Sequence, residues 1–436
     1  MARIFTLLFS LALLVSLLSA GYGYSRINLE RTWFITDSKG VPAYLEAALS
    51  VNSTSQRIVS VNLTPGMTQE TRDGMLWVTY NHTPDSDALT LRANVVADVD
   101  YDPHILSDSL PPSPSPLSGS PGLRLNATNL TEADDSIRAQ ARSLADGNSS
   151  LETIRSVTQW VYGNVVYNIS YWGRSESART VFRDRRGVCV EYTHLLISMM
   201  RSLGFDTRYV SGYVYSDGWQ PHAWAEVLLP GYGWLPVDPT FGQVGVLDST
   251  HFGMYYGADQ SGIYDSLTTS SKMVGLETSN APYAILMRSD PKGANVSIST
   301  SNETSVIDVT VSSSRHDFTF GRYVLSLPAG YGAGSAEILL LRPGQALHRF
   351  TGLNRSLFKP GYIYIVPISA SFNDAAAASN LRSYGFSADS EVQVPQDQPQ
   401  NQPQSDAICA PALAAIAILL LLASLTIVSR SLKKRY

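Results

Sequence analysis

Two proline-rich stretches constrain this chain most strongly. Residues 102–122, DPHILSDSLPPSPSPLSGSPG, and residues 393–406, QVPQDQPQNQPQSD, cannot form a helix interior or a central strand. Proline fixes φ and has no N–H to contribute to either ladder. The first stretch reads as a linker over 102–130. The second reads as part of an extended polar stalk over 373–406. Three blocks remain, each of which must find its own apolar core.

The two ends point to the compartment. Residues 1–21 carry one charge, Arg3, then an apolar run and the small residues Ser19, Ala20 and Gly21, which is the layout of a secretory signal peptide. Residues 407–428 are uncharged and apolar for 22 positions, long enough for a transmembrane helix. The tail 429–436 holds Arg430, Lys433, Lys434 and Arg435, which the positive-inside rule keeps cytoplasmic. The expectation is a single-pass cell-membrane protein with its N-terminal ectodomain outside. The chain's net charge is −5, and setting aside the five basic and no acidic residues of the two ends leaves −10 on residues 21–406. That surface is a poor match for nucleic acid. Ten Asn-x-Ser/Thr sequons, among them Asn81 and Asn168, suit a glycosylated exterior. There are two cysteines; Cys409 begins the expected span, so Cys189 reads as a free thiol.

Hydrophobic periodicity separates the blocks. Residues 22–101 alternate apolar and polar positions in RTWFITDSKG, AYLEAALSVN, MLWVTYN and ALTLRANVVADVD, which predicts a small antiparallel β domain. Residues 276–372 do the same in ANVSISTS, SVIDVTVSSS, YVLSLP and GYIYIVPISASF, which predicts a second β-sandwich. The middle block, 131–275, differs. Ile154, Val157 and Val161 share one helical face behind an N-cap at Ser150, and a second helix begins after Gly187 and stops at Gly204. Three strand-like runs follow, TRYVSGYVYS, HAWAEVLL and GWLPVDP, the last two joined by the tight turn PGYG as a hairpin. The block is an α+β core with a helix packed on a sheet.

Cys189 falls in the first turn of that second helix, where free backbone N–H groups and the positive end of the dipole favour an anion. A nucleophilic thiol also needs a base within reach and a group to orient the base. Three of the seven histidines, His194, His222 and His251, lie in the middle block. His194 is five residues along the same helix and faces away from Cys189. His222 opens the strand HAWAEV and Asp238 ends the neighbouring strand GWLPVD, so the two can meet across an antiparallel pair. Cys189, His222 and Asp238 are thereby candidates for nucleophile, base and orienter. Trp224 and Trp234 flank them as cleft or core residues. Asp98, Asp100 and Asp102 in DVDYDP alternate like the start of a calcium loop but lack its Gly and closing Glu, which leaves an acidic turn.

These motifs, RRGVCVEYTHLLISMMRSLGFDTRYVSGYV, QPHAWAEVLLPGYGWLPVDPT and VTQWVYGNVVYN, resemble the transglutaminase-like superfamily in its bacterial and archaeal branch, over about residues 130–250. The resemblance implies a papain-like, transglutaminase-like catalytic core flanked by two β-sandwich-like domains. Cys189 is then the nucleophile, His222 the general base and acid, and Asp238 its orienter, with no cofactor and no metal. Arg208 and Gly212 match structural positions of the sheet. Val188 and Val190 stand where animal crosslinking members carry Gln and Trp, and their second oxyanion donor has no assigned counterpart, Trp172 being a candidate. The implied activity is thiol acyl transfer on protein or peptide amides, including cell-envelope proteins, by transamidation or by hydrolysis. The alternative is a catalytically silent surface binding or scaffold protein.

Overall fold

The structure, a computed structural model, describes residues 23–112, 127–263, 265–288, 293–301, 306–358 and 363–384. The expected leader at 1–21, the expected span at 407–428 and the tail at 429–436 lie outside them. Among the described residues no helix is long and apolar enough to cross a membrane.

The N-terminal sandwich is built from β1 (Tyr24–Thr36), β2 (Ala43–Val51), β3 (Gln56–Leu63), β4 (Met67–Arg72), β5 (Met75–His82) and β6 (Ala88–Val99). Strict alternation buries Ile27, Leu29, Leu45, Ala47, Val78, Leu91, Ala93 and Val95 between its two sheets. The polar strands β3 and β4 escape the alternation test because they border the two sheets, β3 beside β6 and β4 beside β5; the far ends are β15 (Gly275–Arg288) in the order β15-β1-β6-β3 and β14 (Ser266–Thr269) in the order β14-β2-β5-β4.

Those orders also correct the expected boundary at residue 276. β14 (Ser266–Thr269) pairs with β2, and β15 (Gly275–Arg288) pairs with β1 along its length, from Thr36↔Gly275 to Tyr24↔Arg288. The chain leaves the first sandwich after β6, builds the α+β block, and returns to finish the same sandwich. Alternation reports that a strand has a buried face but not which sheet it joins. The second sandwich begins at β16 (Ala294–Ser301). It continues through β17 (Val306–Ser313), β18 (Thr319–Ser326), β19 (Ser335–Leu341), β20 (Ala346–Gly352) and β21 (Ile363–Phe372) to β22 (Ala375–Tyr384). β22 pairs with β21 throughout, so residues 375–384 belong to a sheet rather than to the stalk expected from 373. The start of the expected linker is also docked. Ile105 bridges Phe318, and the Asp108 carboxylate accepts from the Leu151 N–H.

The middle block contains α1 (Asp135–Leu144), α2 (Ser150–Asn164), α3 (Ala178–Asp184) and α4 (Cys189–Ser202). The N-cap of α2 is Ser149, one residue before the expected Ser150; its Oγ accepts from the Glu152 N–H at 2.8 Å. A five-stranded sheet runs β12-β11-β10-β9-β13, formed by β9 (Thr207–Tyr215), β10 (Trp219–Leu229), β11 (Gly233–Asp238), β12 (Gln243–Val244) and β13 (Phe252–Gly257). The expected hairpin is β10–β11, closing at Leu229↔Gly233. One face of this sheet carries Ala223, Ala225 and Val227 into a core with Leu195, Leu196, Met199 and Met200 of α4. The other carries Val210, Trp224 and Phe252 into the core of the first sandwich. The sheet is therefore covered on both sides, and burying both faces fixes where its edge and the α4 N-terminus meet.

Candidate active site

α4 begins at Cys189 because the residues around it cap it. Val188 is the N-cap in extended conformation, and its N–H donates to Glu191 Oε2 at 2.9 Å. Gly187 is required, because a Cβ there would stand 2.3 Å from the Cβ of Glu191. Glu191 Oε1 accepts the Glu176 N–H at 3.0 Å, and His194 Nδ1 donates to the Glu176 carbonyl at 2.9 Å. Two side chains of the helix that begins at Cys189 thus hold both backbone groups of one residue. That residue ends the segment bearing Tyr171, Trp172, Gly173 and Ser175, which line the cleft. Burial raises the Glu191 carboxyl, against the backbone N–H groups that stabilise its anion. Burial likewise lowers the His194 imidazole, keeping it a neutral donor.

His222 and Asp238 meet by strand register. Ala225 pairs with Val237, and one step further places Asp238 across from Trp224, on the face that His222 shares two residues earlier. His222 Nε2 lies 2.8 Å from Asp238 Oδ2, and the Cys189 side chain lies near enough to the imidazole to raise it. Nε2 being taken by the carboxylate, Nδ1 is left for the thiol. Asp238 is completely buried, and its Oδ1 accepts from the backbone of Thr240 at 2.7 Å and Phe241 at 3.2 Å. Burial alone disfavours both charges. The Asp238 carboxylate, then the Cys189 thiol, overcome this for His222 and push it up to about 10. His222 and His251 hold Asp238 well below the usual carboxylate range in the same way. The Phe241 ring stacks on the imidazole at 4.9 Å and Trp224 at 6.1 Å, so Trp224 packs against His222.

Cys189 and His222 line a cleft of about 400 Å³ between the α+β block and the first sandwich, with Asp238 buried behind His222. Cys189 is a free thiol. Trp172 is 53% exposed at the cleft wall, whereas His194 is fully buried. Arg208 pairs with buried Glu226 and lies beneath the Trp234 and Tyr256 rings, a structural placement. Gly212 lies opposite His222, and a Cβ there would fall 1.9 Å from the Phe252 carbonyl. Asp98 is tied to Tyr24, Arg26 and Arg57, and Asp102 to Arg315.

Sequence reasoning gave no role to His251, whose Nε2 lies 3.0 Å from the same Asp238 oxygen. It also missed the sandwich residues Arg31 and Trp77 in the cleft wall. No local pattern marks either; only the return of the chain to the first sandwich places them there. Among the described residues, His222, Asp238 and His251 are the group with metal-ligand spacing. The His–Asp hydrogen bonds already occupy all three of those atoms.

Residues 138–239 match the profile of the transglutaminase-like superfamily. An uncharacterised Mycobacterium tuberculosis protein is 29% identical over 223 residues, covering 44% of this chain and 71% of its own. A protein-glutamine gamma-glutamyltransferase of Pseudomonas aeruginosa is 32% identical over 72 residues, 14% of this chain and 11% of that protein. A candidate cysteine protease of Cytophaga hutchinsonii superposes with a TM-score of 0.42 at 18% identity, over 62% of this chain and 95% of its own. The α4–β10–β11 arrangement and the profile coincide on the same residues, and residues 138–239 match a transglutaminase-like superfamily core domain.

Proposed function

We propose that the protein is a thiol acyl-transfer enzyme acting on protein or peptide amides at the outer face of a membrane. The observation that carries this reading is the His222 imidazole bonded to the buried Asp238 carboxylate and sharing one cleft with Cys189. In this reading the thiolate of Cys189 attacks an amide carbonyl, forming the C–S bond. As the C–N bond breaks, His222 gives its proton to the departing amine and a thioester remains. His222 then takes a proton from the incoming acceptor as that acceptor attacks the thioester, and returns it to the sulfur. An amine acceptor yields a new amide, and water yields the acid. The backbone N–H of Cys189, in the first turn of α4, is the donor available to the oxyanion.

The aromatic walls at Trp77, Tyr171, Trp172 and Tyr255 suit an extended peptide or alkylamine and limit water at the thioester. The short match to the Pseudomonas transferase supports amine acceptance. The membrane placement rests on residues 1–21 and 407–436 of the sequence. The test is mass spectrometry of cell-envelope proteins after incubation with full-length protein and an isotopically labelled primary amine. Label incorporation or new cleavage products that vanish with Cys189→Ala support the reading. Products that persist in Cys189→Ala, or none with the wild type, overturn it in favour of a silent surface scaffold.

A further inference from the structure

The Asp238 carboxylate serves two imidazoles, and the mechanism above uses one of them. His222 Nε2 and His251 Nε2 approach the same oxygen, Oδ2, at 2.8 and 3.0 Å. Oδ1 is held by two backbone N–H groups, so the carboxylate cannot rotate to give each histidine its own oxygen. His251 is fully buried and has an anchor of its own. Its Nδ1 lies 3.1 Å from Asp248 Oδ2 and 2.9 Å from the Asp248 carbonyl. Asp248 is held in turn by the N–H and hydroxyl of Thr250. The result is an unbroken buried line from Cys189 through His222, Asp238 and His251 to Asp248.

A histidine used only as filler does not need two polar partners in a site this dry, since each partnered nitrogen costs desolvation that an apolar ring avoids. The Trp224 ring meets His251 edge-on at 5.2 Å and Phe241 at 5.8 Å, and both rings also pack on His222. The two imidazole centroids are 5.5 Å apart. The titratable groups facing His251 are Asp238 and His222 from the sheet, Asp248 from its own loop, and Tyr101. The Tyr101 hydroxyl donates to the His251 carbonyl at 3.0 Å.

We infer that His251, anchored by Asp248, is a positioning residue that divides the Asp238 carboxylate between two imidazoles and so keeps the His222 proton transferable. This rests on the thiol acyl-transfer reading. An imidazole facing a buried carboxylate alone holds its proton too firmly to act as a general acid near neutral pH, and catalytic acids work best when poised near the operating pH. Sharing the carboxylate weakens that hold. With Asp238 and Asp248 both ionised, His251 carries a proton, its imidazolium pushed up to about 9 against burial by Asp248 and Asp238. Below about pH 9, where His251 keeps its proton, this second cation also repels the imidazolium of His222. Cys189 acylation by an amide needs the His222 proton for its leaving group. Acylation by an aryl ester, whose leaving group departs as an anion, does not.

The experiment is a histidine-selective ¹⁵N NMR titration of the full-length protein in detergent, with rates measured on a peptide amide and an aryl ester. Comparing His251→Gln with wild type, the midpoint of His222 moves upward by about half a pH unit or more, because Asp238 Oδ2 is no longer shared with a second imidazole. The amide rate falls about tenfold while the ester rate stays within about twofold. An unmoved or lowered His222 midpoint, or equal losses on both substrates, overturns the inference. Should His251→Gln fail to fold, Asp248→Asn removes the anchor of His251 and must move His222 in the same direction; an unmoved midpoint there also overturns it. Thiol alkylation of His222→Ala keeps the two levels separate. If that variant alkylates like wild type, the acyl-transfer reading falls; if it alkylates slowly and His251→Gln leaves His222 unmoved, only the role of His251 falls.

Discussion

Replacing Asp238 by asparagine changes one atom, and the surroundings dictate how the amide must sit. Oδ1 accepts from two backbone N–H groups, Thr240 at 2.7 Å and Phe241 at 3.2 Å. An –NH₂ cannot replace it there without setting donor against donor, so the amide oxygen stays and the –NH₂ takes the Oδ2 position. It then faces His222 Nε2 and His251 Nε2, both of which must become acceptors. His222 is driven to the tautomer with its proton on Nδ1, the nitrogen that should receive the thiol proton. The imidazole also loses its main anionic partner, which with Cys189 raises it to about 10. Returning it toward its ordinary value near 6.5 corresponds to about 3 to 5 kcal/mol of lost preference for the imidazolium. In triads of this logic the wrong tautomer costs about four orders of magnitude in turnover. The account predicts a fall of about 10³ to 10⁴ in turnover for Asp238→Asn, measured beside a melting curve and circular dichroism. If Asp238 were a turn residue before Pro239, asparagine would serve as well and the rate would change by less than about tenfold. A folded Asp238→Asn protein with near-native turnover refutes the triad.

Glu191→Gln places an –NH₂ against either the Val188 or the Glu176 N–H, leaving one donor unmet at a cost of about 1–3 kcal/mol; hydrogen exchange of residues 169–177 should quicken several-fold and KM should rise more than kcat falls. Gly212→Ala sets a methyl group 1.9 Å from the Phe252 carbonyl and should lower stability by about 3 kcal/mol or prevent folding, read from a denaturant midpoint. His222 and His251, raised in the fold to about 10 and about 9, contribute stability that is complete below about 6.5 and is lost as pH rises through those values. The melting temperature should therefore fall between pH ~6.5 and ~10, and Asp238→Asn should flatten that slope.

Much of the core was legible because its signals are local. Cys189 in the first turn of a helix, the Gly187 before it, the β10–β11 hairpin and the pairing of His222 with Asp238 all follow from spacing, and the structure places them as the spacing predicts. What could not be read is non-local. β15 repeats the alternation of any half-buried strand, and only pairing with β1 assigns it to the first sandwich. The edge strands β3 and β4 bury too little to show a pattern. His251 lies 13 residues beyond Asp238, on the segment that runs from β12 at one edge of the sheet to β13 at the other, and reaches Asp238 from there. The hold of Glu191 and His194 on Glu176 joins residues 15 and 18 positions apart through a backbone that carries no sequence signal.

The central claim is that Cys189 and His222 act as a pair, and thiol reactivity tests it without knowledge of the substrate. Full-length protein is treated with iodoacetamide at pH 6 to 7, and modification is assigned by peptide mapping, which separates Cys189 from Cys409. The account predicts that Cys189 alkylates at least about tenfold faster than free cysteine, because it sits beside the His222 base at a helix N-terminus, and that His222→Ala removes most of that advantage. Labelling of Cys189 no faster than free cysteine, and equal in His222→Ala, would contradict it.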